Sequence, residues 1–199
     1  VMANSLNTAT STNTTQESEL TLLNASSAAW DGNFTVVKAN SAAWTTASTS
    51  SGRVLNVQSR SEASLTGFSG SEWVLFNSSL DVTITPQLSS SKFMLTFTAP
   101  AGAYGFVFMR FLRGSTPIGV GGGSGSRKAV NGATYMGGGD YDMMTGSYMD
   151  SPATASEIVY HVEVFCPSGT GYLNRSAEDA DSNSSIRGTA NFTVMEIAG

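Results

Sequence analysis

The stretch KFMLTFT at 92–98 decides the fold class. Phe93, Leu95 and Phe97 alternate with Met94, Thr96 and Thr98, so an extended segment carries one face of large apolar groups. A helix would scatter those three residues around its circumference. EIVYHVEVF at 157–165 repeats the pattern, with Ile158, Tyr160, Val162 and Val164 on one face and Val159, His161, Glu163 and Phe165 on the other. YGFVFMRFLR at 104–113 is apolar on both faces, as in a central strand or one buried in an interface. Working outward, 53–60, 72–76, 80–85, 171–174 and 189–198 read as further short strands between Gly, Pro and Ser clusters. Weaker strand patterns lie near 130–136 and 143–149. Eight to ten short strands predict an all-β, jelly-roll-like β-sandwich over 53–199. A domain of that size buries roughly two-thirds of its unfolded surface and needs neither disulfide nor metal to hold it.

The chain changes character at about 51–53. Ahead of that point, Ser, Thr, Asn and Ala dominate and large apolar residues are sparse. SSAAW ending at Trp30 and NSAAW ending at Trp44 repeat with a period of fourteen, or two heptads. That register puts Leu20, Ser27, Phe34 and Ser41 at one core position and Leu23, Trp30, Val37 and Trp44 at the other. Six residues therefore form an oligomerisation stripe: Leu20, Leu23, Trp30, Phe34, Val37 and Trp44. A helix with such a stripe must bury it against copies of itself. Thr14 and Glu17 are spaced as in a capping box and mark a start. Asp31-Gly32-Asn33 is a turn signal inside the stripe, and Ser and Thr favour helices poorly. The segment reads as an oligomeric stalk, helical or extended, over 20–52, with a flexible linker bearing a chance repeat as the alternative. Residues 1–19 read as a polar arm or docking segment. They lack the order of a signal peptide, and the opening Val implies that the natural chain starts upstream.

Charged residues make up 13% of the chain, and the formal net charge is −5. No basic stripe exists to neutralise phosphates, so nucleic acid is not an expected partner. No apolar run reaches membrane-spanning length, so no membrane insertion is expected. Cys166 is the single cysteine, which excludes an intrachain disulfide and a multi-cysteine zinc site.

Motifs for chemistry fail on spacing. The lone His161 sits mid-strand beside Glu163 with no nucleophile motif, as a surface or interface histidine would. In 121–125 a glycine stands where a hydrolase elbow needs its serine. The glycine run at 119–125 leads to Lys128, but Ala129 follows where a phosphate loop needs Ser or Thr. Asp179, Asp181 and Asn183 open like a calcium loop, yet Ser184 and Ala190 occupy its Gly and Glu positions. N-x-S/T triplets at Asn13, Asn24, Asn33, Asn77, Asn174, Asn183 and Asn191 follow from a chain with 30 Ser and 22 Thr. The expectation is a non-enzyme with no cofactor and no metal.

Four phrases occur as an ordered set: VTITPQLSSSKFMLTF (82–97), RFLRGSTPIG (110–119), SYMDSPATASEIVYHVEVF (147–165) and GYLNRSAEDADSNSSIRGTANFTVMEI (171–197). Together they resemble a β-sandwich domain found at the C-terminus of tailed-phage virion proteins, of the kind met in marine phages and described as tail fibres or virion structural proteins. The resemblance runs from about Val54 to the end. It implies a homotrimeric head, similar in layout to complement and tumour-necrosis-factor heads, on a thin fibrous stalk. The location implied is the phage particle surface. Self, other tail or capsid proteins reached through the N-terminal segment, and a host-surface glycan or protein are the expected partners. Within the phrases, Asp150-Ser151-Pro152 reads as a turn, and Arg175 and Arg187 are expected to pair with Asp179 or Asp181.

One stretch departs from the resemblance. Between Ile118 and Met149 lies a Gly-, Tyr- and Met-rich insertion with Tyr135, Met136, Tyr141, Met143, Met144 and Tyr148. Tyr among Gly and Ser is the composition of binding tips, which makes these six a candidate receptor-contact loop. Packing of the same residues as strands is the alternative. The two functions in view are a tail-fibre-like adhesin and a capsid-attached head fibre or decoration protein docked through its N-terminal segment.

Overall fold

In the computed structural model, residues 2–48, 51–70, 72–138 and 140–199 are described. They divide into two compact units, Val1–Ser50 and Ser51–Gly199.

The first unit is one helix, α1 (Met2–Ser48). Its 47 residues correspond to about 70 Å at 1.5 Å per residue. No boundary falls at 19/20: the polar arm and the proposed stalk are one element. Thr14 and Glu17 do not cap it, since both lie well inside. The hydroxyls of Ser18, Thr21 and Thr35 instead bond back to the carbonyls of Thr14, Glu17 and Asp31 at 2.9, 2.8 and 2.8 Å. This back-bonding lets the hydroxyls sit within the helix, although it adds no helix stability of its own. Asp31-Gly32-Asn33 stays helical; one glycine costs about 1 kcal/mol against alanine, which a helix this long absorbs. All six stripe residues are exposed, and Leu22 and Val36, also fourteen apart, are exposed as well. Among the described residues no helix is long and apolar enough to cross a membrane.

Among its described residues the second unit contains twelve strands: β1 (Val54–Glu62), β2 (Thr66–Ser69), β3 (Val74–Leu75), β4 (Val82–Ile84), β5 (Lys92–Gly102), β6 (Gly105–Arg113), β7 (Thr116–Ile118), β8 (Gly132–Met136), β9 (Tyr141–Asp150), β10 (Ile158–Phe165), β11 (Thr170–Leu173) and β12 (Ala190–Ile197). Every pairing is antiparallel. In the first sheet β12 and β11 lie end to end along one side of β5, with β1 and β2 beyond them, and β9 on its other side. The second runs β4 and β3, then β10, β6, and finally β7 and β8. Reduced to the long path, β1-β12-β5-β9 faces β4-β10-β6-β8, the two four-stranded sheets of a jelly roll.

The alternation of Phe93, Leu95 and Phe97 delivers the core: all three are fully buried, together with Val107, Met109, Phe111, Phe192 and Val194. Rings from the two sheets meet between them, Phe93 on Tyr160 and Phe111 on Phe192, each pair at 5.7 Å. β5 runs on past the alternating 92–98 stretch, through Pro100 to Gly102. Pro100 stands where β5 exchanges β12, paired up to Thr98, for β11, paired from Ala101. There its missing N–H breaks no ladder bond on that side, and its carbonyl accepts from Asn174 N at 2.8 Å. Gly102 is needed for close approach: a Cβ there would lie 2.4 Å from the backbone N of Ala177.

The domain closes on itself next to its own start. Gly52 N donates to Ala198 O at 2.7 Å, and Ala198 N to Arg53 O at 2.8 Å.

Candidate functional site

The six residues expected to form one contact loop do not form one. The segment folds as β8 and β9, which belong to different sheets, and alternation sends its side chains three ways. Met136 and Met144 are buried in the core, with Tyr148 packed against it half-buried. Those three fill space between the sheets and are withdrawn as receptor contacts. Tyr135 stands on the outer face of the β8 sheet, while Tyr141 and Met143 stand on the outer face of the β9 sheet.

What the structure builds around Tyr135 is an aromatic ladder. On the outer face of the second sheet, Trp73 contacts Phe165 at 5.5 Å, Phe165 stacks on Phe108 at 6.1 Å, and Phe108 stacks on Phe106 at 5.8 Å. Phe106 then meets Tyr135 at 4.7 Å. Outward-facing positions of a sandwich are ordinarily polar. The Trp73 end is roofed by cations of the same chain: Arg110 lies 4.2 Å over the Trp73 ring and Lys128 4.7 Å over Phe165. Arg110 is itself held by Glu163, with Nε 2.6 Å from Oε2. One end stays open, with Phe106 48% and Tyr135 62% exposed. The sequence showed this only as a strand apolar on both faces. Bringing Trp73 and Phe165 beside it required the register of β10 on β6 and β3.

His161 lies on this face, half-buried, with Nδ1 2.8 Å from Asp81 Oδ1. Among the described residues no group of three or more His, Cys, Asp or Glu is placed to hold a metal ion. Asp179, the first residue of the calcium-like pattern, is occupied by arginines. Arg187 binds it in a fork at 3.0 and 2.8 Å, and Arg175 lies 3.6 Å away. The expected Arg–Asp pairing therefore centres on Asp179, and Arg187 holds its carboxyl below the ordinary range.

Several other groups are tuned for structure. Hydrogen bonds from Ser64 and Ser79 bring the Glu62 carboxyl down to about 2. The Thr134 hydroxyl and Met143 N–H lower that of Asp142. Burial raises the Cys166 thiol, which keeps it protonated and unreactive. Asp150, expected in a turn, ends β9 with its carboxylate buried, facing Arg113 and Tyr160.

No family model matches this chain, and no curated protein matches it. Among solved structures it is similar to one described as "Structure of infectious bursal disease virus Gx strain", at 10% identity and a TM-score of 0.38, over 75% of this chain and 39% of that one. The chain thus spans well under half the length of that neighbour. A likeness of this size adds nothing to the β-sandwich already described.

Proposed function

We propose that this protein is a non-enzymatic virion structural protein, a self-associating appendage of a phage particle whose β-sandwich head works by surface contact, attaching the particle to a host. The observation that carries the reading is the aromatic ladder. Five rings in continuous contact on the outside of a sheet, exposed at the Phe106 and Tyr135 end, form the kind of surface that is stable in water when a copy of the chain covers it. The exposed stripe of α1 supports the same conclusion from the other unit, since Leu23, Trp30 and Val37 gain burial only against partner helices. Closed threefold association satisfies both needs and also hides sheet edges. The phage assignment and the trimer rest on the ordered phrases in 82–197.

The second reading is a capsid-attached head fibre or decoration protein docked through α1. Antibody labelling of intact particles in the electron microscope separates the two. Label on the tail or its fibres supports attachment, label over the head supports docking, and absence of label from particles removes both.

A further inference from the structure

The outer face of the first sheet carries a site of a different kind. Strand register lines up Ser59, Thr193, Thr96 and Ser147 across β1, β12, β5 and β9. The next row is Ser61, Asn191, Thr98 and Thr145. Directly opposed residues of antiparallel strands share a face, so these eight form a two-by-four lattice about 4.8 Å apart across strands. The row on one side is Val57, Met195, Met94 and Met149. None of these twelve positions is charged, in a chain whose net charge is −5.

The two halves of the lattice differ. On β1 and β12 the groups satisfy each other: Ser59 and Thr193 hydroxyls meet at 2.9 Å, and Ser61 donates to Asn191 Oδ1 at 2.7 Å. On β5 and β9 the hydroxyls of Thr96, Thr98, Thr145 and Ser147 have no partner among the described residues. Those four line a groove of about 370 Å³, with Asn131 at its side. Asn131 is already committed, donating to the carbonyls of Ile118 and Gly119 and accepting from Phe111 N, so that wall is fixed.

We propose that this groove binds an uncharged saccharide. Each free hydroxyl can both donate and accept, which matches a ligand whose own groups are hydroxyls. The threonine methyls offer apolar contact to the C–H face of a sugar ring. The volume falls at the lower end of small-molecule sites, about 300–1,000 Å³, and the open groove lets a chain ligand continue past it. With no cation at the lattice, an acidic polysaccharide gains no ion pair there. The proposal deepens the attachment reading and rests on it for its biological meaning, though not for its geometry.

The test is electrophoresis of the full chain through native gels containing dextran, mannan or laminarin, with alginate as the anionic comparison. At least one uncharged polymer retards the protein and alginate does not. The double substitution Thr96→Val and Thr145→Val keeps shape and strand preference while removing two hydroxyls, and weakens the apparent affinity at least fivefold with unchanged melting. Retardation by none of the uncharged polymers, equal retardation by alginate, or full retention by the double variant each overturns the proposal. So does a Thr96→Lys variant that changes the sedimentation of the assembly without affecting retardation, because the face is then an interface between copies. Immunogold label absent from particles removes the attachment reading and leaves the gel result standing.

Discussion

Tyr160 donates its hydroxyl to Asp150 Oδ2 at 2.8 Å, joining the end of β9 in one sheet to β10 in the other. Arg113 of the second sheet reaches both oxygens of the same carboxylate at 3.1 Å. Asp150 is 4% exposed, so this is a polar clamp through the edge of an apolar core. Burial, and then the Asp150 carboxylate, push the Tyr160 hydroxyl well above its ordinary range, so it remains a donor.

Removing the carboxylate leaves a phenol and a guanidinium without their partner. Asp150→Ala therefore costs about 2–3 kcal/mol, chiefly from the buried Tyr160 hydroxyl left unpaired, read as a lower urea midpoint with unchanged slope. Tyr160→Phe leaves Asp150 with Arg113 and costs about 1–2 kcal/mol. A smaller loss for Asp150→Ala than for Tyr160→Phe would contradict the clamp.

The aromatic ladder predicts oligomers. Phe106→Lys combined with Tyr135→Lys places two charges at its open end without entering the core. Sedimentation then shifts toward smaller species while the β-sheet circular dichroism signal is kept. An unchanged sedimentation profile would remove the ladder from the assembly interface.

The helix predicts dependence on partners. Changing Leu23, Trp30 and Val37 together to Ser in the full chain lowers the helical circular dichroism signal and makes what remains fall on dilution. A helical signal that is indifferent to both would mean that α1 stands alone.

Acid sensitivity follows from Glu62, Asp142 and Asp179. All three titrate below ordinary carboxyls when folded, so the folded chain binds fewer protons than the unfolded chain in acid. Their contribution is complete above the unfolded carboxylate range, about 4–4.5. It is lost as the pH falls through that range toward the folded value of Glu62, about 2. Melting temperature declines across that window. The gap between the wild type and Glu62→Gln closes as the pH drops, and a gap constant with pH would show that Glu62 is not the group titrating.

The sandwich was legible wherever one face alone is buried. Phe93–Leu95–Phe97 and Ile158–Tyr160–Val162–Val164 each read correctly because a period of two has no rival explanation there. β2 and β7 were missed: TGFS and TPI are too short and too rich in turn residues to show a period. The stalk over 20–52 was read as helical or extended and 1–19 as a separate polar arm, because residues ahead of Leu20 carry no apolar period to mark them as helix. The contact surfaces were less legible still. Tyr135 and Tyr141 look like neighbours in the chain, but a face is defined by which strands pair, and β8 and β9 pair in separate sheets.

The mutual hydrogen bonds of Gly52, Arg53 and Ala198 have a consequence for how such a head is exchanged. Its first and last strands, β1 and β12, lie side by side, so both ends of the module emerge at one edge of the fold. Exchange of residues 53–199 as one block leaves no strand unpaired in either the donor or the recipient. A chain built this way can change one unit while keeping the other.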